Sequence, residues 1–270
     1  MKALESQAAE LLSLHHADEP LVLPNAWDPA SAAVIAAAGA RAIATSSAGV
    51  AWALGYADGE EIDRDEMLEA VSRIARLVDV PVTADLERGY GDVAATVTAA
   101  IGAGAVGANL EDSTAGRDLV AAEEQAERLR GGRDAAVAAG VPSFVLNART
   151  DVFLREIGAP TGRLDEAKRR AEAYAEAGAS CLFVPGLLEL DALAELASAS
   201  PIPIAAMARA GGPNVTELAS AGVHRVSVGP ALSEAAYGLA RRAARELLES
   251  GTYESLDGAI GFPELQSLFR

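Results

Sequence analysis

A turn of small residues around glycine recurs along this chain, and it constrains the fold more than any other sequence feature. Each copy closes an alanine-rich stretch and is followed by a short apolar run rich in β-branched residues. A glycine just past a helix end can take the left-handed conformation that terminates the helix. An apolar run too short for a helix is typical of a buried parallel strand. The copies are Ala38-Gly39-Ala40, Ala103-Gly104-Ala105, Ala139-Gly140-Val141, Ala177-Gly178-Ala179 and Ala221-Gly222-Val223.

Apolar runs and helical stretches alternate over almost the whole sequence. Strict alternation predicts a parallel sheet, and eight units in 270 residues favour its closure into a (β/α)8 TIM barrel. An open dinucleotide-binding sheet fits less well, because no Gly-x-Gly-x-x-Gly follows the first run. The predicted strands are 21–26, 41–46, 80–85, 106–111, 143–148, 180–185, 202–207 and 225–229. The predicted helices are 2–15, 29–38, 64–78, 92–103, 120–139, 163–177, 188–198, 215–221 and 231–250.

The sequence shows no linker or low-complexity segment, so we expect one α/β domain over residues 1–270. A helix precedes the first strand, and residues 252–270 form a C-terminal helical extension. We expect this extension to pack on another subunit or to cap the barrel, because several of its side chains are too apolar to remain in water. These side chains are Leu256, Ile260, Phe262, Leu265, Leu268 and Phe269.

Charge and cysteine content exclude several partners and compartments. A formal net charge of −17 repels nucleic acid and anionic membranes, so we expect neither as a partner. The single cysteine, Cys181, cannot form an intrachain disulfide, and we find no signal peptide or membrane-spanning run. We therefore expect a cytoplasmic protein. Cys181 itself is interpreted as a small core residue, and His15, His16 and His224 are not expected to be catalytic.

Polar side chains collect where the predicted strands end, which is where barrel enzymes carry their active sites. The segments are Asn25-Ala26-Trp27-Asp28, Thr45-Ser46-Ser47, the run from Asp85 to Gly91, Asn109-Leu110-Glu111-Asp112 and the run from Asn147 to Asp151. Asp85, Glu87 and Glu111 follow adjacent strands, and three neighbouring carboxylates repel one another unless a cation lies between them. Hard oxygen ligands suit Mg²⁺ or Mn²⁺. Alternatively, these acids cap helices or pair with Arg88 and Arg149.

Two further segments at this rim suit an anionic ligand. Ser46, Ser47 and Ala48 begin the predicted loop after the second strand, where small residues let backbone N–H groups approach an anion. Arg149 suits bidentate binding of a carboxylate, or a salt bridge to Glu111 or to Asp151. A turn at 211–213 follows the seventh strand, where many barrels bind phosphate. That turn keeps a phosphate-sugar barrel open as an alternative.

Several motifs in order resemble the isocitrate lyase/phosphoenolpyruvate mutase superfamily from about residue 21 to residue 229. The opening LPNAWDPASAAVIAAAGARAIATSSAGVAWALGYADG is similar to that of the family, and TADLERGYGD is similar to its metal motif. NLEDS, NARTD and GGPNVTEL resemble its later segments. The resemblance implies a magnesium-dependent enzyme of small carboxylic acids. It also implies homotetramers built from dimers that exchange a C-terminal helix, so we expect a dimer or a tetramer.

The resemblance also implies a role for individual residues. Asp85 would bind Mg²⁺ directly, and Ser46 would bind a substrate carboxylate or phosphonate with the backbone of its two successors. Arg149 would bind the 2-oxo acid portion, and Asn214 a distal group of the substrate. The remaining metal-holding acids, partly acting through water, would be Asp58, Glu87 and Glu111, and the residues next to Ser46 would be Ser47 and Ala48.

Three departures from the family narrow the expected reaction. Glu87 replaces the second aspartate of the metal motif, which lengthens that side chain by one methylene. The loop after Glu111 reads DSTAGRDLV and lacks the cysteine that serves as catalytic acid in the family's lyases, which argues against the usual isocitrate and methylisocitrate reactions. Pro185-Gly186 stands where those lyases present an acid and the mutases a histidine. Water, Ser46 or Tyr90 would therefore have to handle the proton.

The sequence thus predicts a magnesium-dependent lyase that acts on a small 2-oxo or 2-hydroxy acid through an enolate. We expect C–C cleavage or decarboxylation of an oxaloacetate-like acid, because the chain lacks the cysteine acid. Stabilisation of the enolate by the metal is common to these reactions and to C–P bond chemistry. One alternative is C–P bond chemistry of the phosphonopyruvate hydrolase or phosphoenolpyruvate mutase kind. Another is a non-catalytic barrel that binds 2-oxo acids.

Overall fold

A parallel sheet closes into a barrel in the computed structural model, which describes residues 4–116 and 118–269. The strand order is β1-β9-β8-β7-β6-β5-β4-β3-β2. The strands are β1 Leu21–Leu23, β2 Asn25–Ala26, β3 Ile43–Thr45, β4 Val82–Asp85, β5 Gly107–Glu111, β6 Val145–Arg149, β7 Cys181–Phe183, β8 Ile204–Met207 and β9 Val223–Ser227. The predicted (β/α)8 architecture is confirmed.

The first barrel strand consists of two segments, β1 and β2. Pro24 lies between them and has no N–H to donate to a sheet ladder, so the strand is interrupted there. β1 pairs with β9, and β2 pairs with β3, which joins the first strand to both neighbours. The last strand begins two residues earlier than predicted, so that His224 lies within β9 rather than before it.

Helices follow the strands around the barrel. In the described residues they are α1 Leu4–Leu14, α2 Pro29–Ala37, α3 Ser47–Leu54, α4 Arg64–Ala75, α5 Val93–Gly102, α6 Ala122–Ala138, α7 Arg163–Glu176, α8 Leu190–Ala199, α9 Val215–Ser220, α10 Ala231–Ser250 and α11 Phe262–Ser267. Lys2 and Ala3 of the predicted first helix, and the tail residue Arg270, lie outside the described residues. No described helix combines the length and the apolar character that crossing a membrane requires.

The predicted loop after the second strand is wrong, because residues 47–54 form helix α3. Ser46 caps this helix by accepting a hydrogen bond from the backbone N–H of Gly49, and Gly55 ends it with a φ of 91°. The segment is too uniformly small and apolar to show a helical period, which is why the sequence pattern did not reveal it.

Helix α1 lies across the N-terminal ends of the strands. Leu11 is fully buried, and its Cδ2 lies 3.0 Å from the position that a Cβ on Gly107, the first residue of β5, would occupy. Glu5 accepts a hydrogen bond of 2.6 Å from the hydroxyl of Ser143, just before β6. The barrel is thus covered at this end and open at the opposite end, where the strands finish.

The C-terminal part of the chain packs poorly against the barrel. Of the residues in α10 only Ser233 is buried, and Leu248 is 85% exposed. In the extension, Phe262 is 77% exposed and Tyr253 is 71% exposed. The extension therefore does not cap the barrel of its own chain, and packing on another subunit stays a prediction.

Candidate functional site

A cavity of about 230 Å³ opens where the strands end. β2, β4 and β6 each contribute a polar residue from their C-terminal ends. The lining residues are Asn25, Ser46, Ser47, Ala48, Asp58, Asp85, Asn109, Arg149, Leu154, Phe183, Pro185, Met207, Ser227, Gly229 and Pro230. A wider groove of about 750 Å³ lies at 251–257, but one exposed segment forms it far along the chain from the barrel strands. The smaller cavity is therefore the candidate active site.

Asp85 is the last residue of β4 and faces the start of α3. Its Oδ2 accepts hydrogen bonds from the hydroxyl of Ser47 at 3.0 Å and from the backbone N–H of Ser47 at 3.3 Å. The Thr45 hydroxyl accepts a bond of 2.9 Å from the Asp85 backbone N–H. Oδ1 of Asp85 is enclosed and has no hydrogen-bond partner. A buried carboxylate oxygen without a partner is costly, so this atom marks a place for a ligand.

Two other acids crowd against Asp85. Burial, followed by the charges of Asp85 and Asp58, raises the pKa of Glu87 to about 8. Burial and the charge of Asp85 also raise the pKa of Asp58, although a hydrogen bond with Ser47 acts in the opposite direction. Within the described ranges none of these three acids forms an ion pair with lysine or arginine. Among the described residues, the charge of Arg149 acts favourably on Asp58 and Asp85 but lies beyond ion-pair distance of both, so the mutual repulsion of the three acids is only partly compensated.

Glu111, the fourth predicted metal-holding acid, is engaged by cations. Its Oε2 lies 2.8 Å from Nη1 of Arg149, and its Oε1 accepts a bond of 2.7 Å from Ser113. Arg155 and Arg88 lie 3.8 Å and 4.0 Å from Oε1. A direct bond from Glu111 to a metal ion would require Arg149 to move. Across residues 4–116 and 118–269, no three acidic, histidine or cysteine side chains form a ready-made metal-binding group.

Arg149 is a fixed cation in the cavity wall. Its Nε and Nη2 donate to the carboxylate of Asp151 at 2.6 Å and 3.1 Å, which is a bidentate pair. Burial lowers the pKa of Arg149, but the charges of Glu111 and Asp151 outweigh burial and raise it above its usual value. Both salt bridges that the sequence left open as alternatives are thus present. The arginine still lines the cavity, so its guanidinium is available at the wall beside the acids.

A buried network behind Arg149 was missed in the sequence. Asp112 is fully buried, and its Oδ1 accepts the backbone N–H of Asp151 at 3.0 Å. Its Oδ2 accepts from Nη1 of Arg170 and from the Tyr174 hydroxyl, both at 2.8 Å. Asp112 therefore holds the backbone of the residue that orients Arg149. The sequence feature that could have revealed Asp112 is its position directly after Glu111, at the end of a strand.

Tyr90 lies on the turn after β4 rather than in the cavity lining. Its hydroxyl donates to Oε1 of Glu87 at 3.4 Å, and Glu60 holds the turn by accepting the Tyr90 backbone N–H at 3.0 Å. Burial and the charge of Glu87 raise the pKa of Tyr90. β4 ends at Asp85, and Glu87 adopts a φ of 49° in the turn that follows, so the two acids do not lie on one strand.

The remaining candidates lie elsewhere. Asn214 is exposed and caps α9 by accepting the backbone N–H of Glu217 at 3.0 Å, so its side chain is committed to the helix. Gly211 and Gly212 are exposed and do not line the cavity. Cys181 is fully buried among apolar side chains, which confirms the core interpretation.

Replacement of Gly186 by alanine is expected to destabilise the protein by about 2–3 kcal/mol, because its φ is 91° and an added Cβ would lie 2.7 Å from the backbone nitrogen of Leu154. Urea unfolding measures this change. Gly140→Ala is the matched control, since its φ of 78° is similar and nothing lies within 4 Å of the added Cβ. The control should lose only about 1 kcal/mol. Equal losses in both variants would contradict the clash with the cavity-lining Leu154.

Comparison with known proteins places the chain in a family. Residues 11–248 match the family model described as phosphoenolpyruvate phosphomutase. The chain belongs to this family. The predicted membership of the isocitrate lyase/phosphoenolpyruvate mutase superfamily is confirmed, and so is the prediction of an enzyme. The relatives of the chain include enzymes named as lyases, 2-methylisocitrate lyase and 2,3-dimethylmalate lyase.

Three relatives illustrate the range of the similarity. A candidate phosphonomutase of known structure from Burkholderia cenocepacia J2315 is 45% identical, with a TM-score of 0.86 and coverage of 89% of this chain and 99% of that chain. The 2-methylisocitrate lyase of Escherichia coli is 33% identical over 213 residues, 74% of this chain and 67% of the lyase. A structure of oxaloacetate acetylhydrolase with 3,3-difluorooxalacetate is 27% identical, with a TM-score of 0.87 and coverage of 98% and 93%.

Proposed function

We propose that this protein is a divalent-metal-dependent lyase that cleaves a small 2-oxo or 2-hydroxy acid through an enolate. The observation that carries the proposal is the enclosed, unpartnered Oδ1 of Asp85, next to two further acids, Asp58 and Glu87, that form no ion pair within the described residues and whose pKa values are raised by burial and by neighbouring carboxylates. A hard divalent cation compensates such charges with oxygen ligands. We propose Mg²⁺, with Mn²⁺ as a substitute, because the described residues lining the cavity include no cysteine or histidine.

The four acids would hold the cation in two ways, directly or through water. Asp85 would bind it directly through Oδ1. Asp58 and Glu87 would bind it through water, since Mg²⁺ usually keeps several waters. Glu111 would act through water as well, because both of its oxygens are already engaged. When bound, the ion supplies positive charge to the enolate oxygen as that charge develops.

The substrate carboxylate would lie between α3 and Arg149. Ser47 and Ala48 begin α3, where the helix dipole favours an anion. The backbone N–H of Ser47 already donates to Asp85 at 3.3 Å, so the substrate would have to share it, whereas that of Ala48 would be offered to the substrate. Arg149 provides a guanidinium whose position two carboxylates fix. Asn214 would contact a substrate only if the substrate extends to the start of α9. This arrangement would orient a 2-oxo acid with its reacting bond above Asp85.

In decarboxylation of an oxaloacetate-like acid, CO2 leaves and the electron pair of the broken C–C bond forms the enolate, whose carbon must then take up a proton. The Ser46 hydroxyl accepts the N–H of Gly49 at 3.3 Å, so its own proton is free, and Ser46 lines the cavity. Tyr90 stands farther back, and its hydroxyl is already bonded to Glu87. We therefore favour Ser46 or a water beside it over Tyr90. An oxaloacetate-like acid fits best, and similarity to oxaloacetate acetylhydrolase supports that choice.

C–P bond chemistry is the second candidate for the same site. The 45% identity to a candidate phosphonomutase and the matching family model support it. The two reactions share an enolate, so the metal and the carboxylate contacts would be the same in both. The sequence also left open a non-catalytic 2-oxo acid-binding barrel, and the family placement with its named lyases argues against it.

The oligomeric state belongs to this proposal as well. Helix α10 exposes Leu247 at 57% and Leu248 at 85%, and the extension exposes aromatic side chains beside it. Apolar surface of this kind is typical of an interface. We propose that α10 and residues 252–269 pack on a second copy in a cytoplasmic dimer or tetramer.

The test is a turnover assay on the purified protein with Mg²⁺ and with EDTA. Oxaloacetate, 2,3-dimethylmalate and phosphonopyruvate are supplied separately, and the products are followed by proton and phosphorus NMR. We expect Mg²⁺-dependent consumption of one of the supplied carboxylic acids, with products that show cleavage of a C–C bond. Release of phosphate or a rearranged phosphate ester would favour C–P chemistry instead. Binding of oxalate without turnover of any acid would favour the non-catalytic barrel.

A further inference from the structure

Asn109 is a cavity residue to which neither the motifs nor the proposed mechanism assigns a role. It lies on β5, in register with Asp85 of β4 and with Asn147 of β6. Only 7% of Asn109 is exposed, and that part lines the cavity. An asparagine in this position brings one donor and one acceptor group to the floor of the site.

The acceptor group of Asn109 is committed to the barrel interior. Its Oδ1 accepts a hydrogen bond of 2.6 Å from Nδ2 of Asn147 and another of 3.2 Å from Nη2 of Arg225. A guanidinium can only donate, so the group that faces Arg225 must be the oxygen. The orientation of the Asn109 amide is therefore determined by chemistry.

The donor group of Asn109, Nδ2, takes no part in these interior hydrogen bonds. Within residues 4–116 and 118–269, Nδ2 of Asn109 donates to no protein group. Because Nδ2 has no protein partner and is not one of the fully enclosed unpartnered atoms, it retains some exposure. Since Asn109 lines the cavity, its two N–H bonds are open to whatever the cavity holds. Asp85, the register partner of Asn109, lines the same cavity and carries the unpartnered Oδ1.

Arg225 is an unusual residue to find inside a barrel. It is 2% exposed and forms no ion pair within the described part of the chain. Burial lowers its pKa to about 10, which leaves it charged at neutral pH. A buried cation without a carboxylate partner is costly. A buried charge that destabilises the fold in this way is typical of a residue that acts on a functional site.

His15, which directly follows helix α1, completes the support of Arg225. Its Nδ1 lies 2.8 Å from the carbonyl oxygen of Leu11, and its Nε2 lies 3.3 Å from Nη1 of Arg225. Burial, and then the charge of Arg225, lower the pKa of His15 to about 3. The ring is therefore neutral, donates from Nδ1 and accepts at Nε2. A continuous chain of hydrogen bonds runs from α1 through the barrel to the cavity floor.

We propose that Asn109 binds the substrate by donating a hydrogen bond from Nδ2 to an oxygen of a bound 2-oxo acid, and that Arg225 is the positioning residue that orients it. This inference rests on the proposed function, because it takes the anion to be a 2-oxo acid. The contact requires an anionic oxygen at the cavity floor, which oxalate, a planar analogue of the enolate, also presents.

The experiment measures oxalate binding by calorimetry in the presence of Mg²⁺, with Mn²⁺ binding followed separately by electron paramagnetic resonance. Asn109→Asp retains an acceptor for Asn147 and Arg225 and replaces only the donor. We expect it to weaken oxalate binding more than about a hundredfold, because a negative charge would face the anion. Asn109→Ala should weaken oxalate binding about ten- to a hundredfold. Neither substitution should lower Mn²⁺ affinity.

The role of Arg225 is tested by a double-mutant cycle. Arg225→Met keeps the length of the side chain and frees the Asn109 amide to rotate, so oxalate binding should weaken. If Arg225 acts through Asn109, the double variant Asn109→Ala/Arg225→Met binds oxalate no more weakly than Asn109→Ala alone. Additive losses would overturn the positioning role. Thr83→Val is the matched control for a polar-to-apolar substitution inside the barrel. The Thr83 hydroxyl is enclosed in the same interior and has no hydrogen-bond partner.

The outcomes separate this inference from the proposed function. Wild-type protein that binds oxalate, together with an Asn109→Ala variant that binds it equally well, would overturn only the role of Asn109. Wild-type protein that takes up neither Mn²⁺ nor oxalate would overturn both. Circular dichroism spectra identify a variant that has not folded, and the remaining Asn109 variant then decides the question.

Discussion

Replacement of Asp85 by asparagine is expected to lower metal-dependent turnover by about a thousandfold or more and to abolish tight Mn²⁺ binding. The reason is that Oδ1 of Asp85 is the one enclosed carboxylate oxygen at the cavity that the described residues leave without a partner. An asparagine oxygen can still accept the two bonds that Ser47 donates, so the fold should be preserved. The measurements are kcat with the accepted substrate and a Mn²⁺ titration.

The matched control for this change is Asp92→Asn. Asp92 is exposed and caps α5 by accepting the backbone N–H of Ala95 at 3.0 Å, a role that asparagine performs equally well. The control removes the same charge from the same strand-to-helix connection and should leave turnover unchanged. An Asp85→Asn variant that keeps both its Mn²⁺ affinity and its turnover would refute the metal-site interpretation.

Replacement of Asp112 by alanine is expected to lower the free energy of unfolding by about 3–5 kcal/mol, because it breaks a buried ion pair. Arg170, which is 3% exposed, would lose the carboxylate that it contacts at 2.8 Å. Tyr174 and the backbone N–H of Asp151 would lose their acceptor as well. Urea unfolding, followed by circular dichroism, measures the change.

The exposed Asp134 on α6 supplies the control for this substitution. It forms no hydrogen bond or ion pair within the described residues, so Asp134→Ala should change stability by less than about 0.5 kcal/mol. Turnover of surviving Asp112→Ala protein should also fall, since Asp112 holds the backbone of Asp151 and Asp151 orients Arg149. A loss of stability below about 1 kcal/mol would contradict the inferred role of this network.

Much of the barrel was predictable because its signals are local. The small-residue turns mark the helix ends, and short apolar runs mark strands wherever the sheet is covered on both sides. Since parallel strands finish at one edge, the polar residues after them were expected to converge there. Ser46, Asp58, Asp85 and Arg149 do line one cavity. Helix α3 escaped prediction because its residues share no helical period.

What remained hidden depends on residues far apart in the chain. Side-chain positions across neighbouring strands determine the ion-pair partners of Arg149. They also determine whether Glu111 has an oxygen without a partner. The contact between His15 and Arg225 joins residues 210 positions apart. Periodicity along a chain reports which face of an element is buried, and it carries no record of the side chains from other elements that meet there. The sequence therefore determined the barrel and its acidic rim, whereas tertiary packing alone decided which charges at that rim are paired and which are open to a ligand.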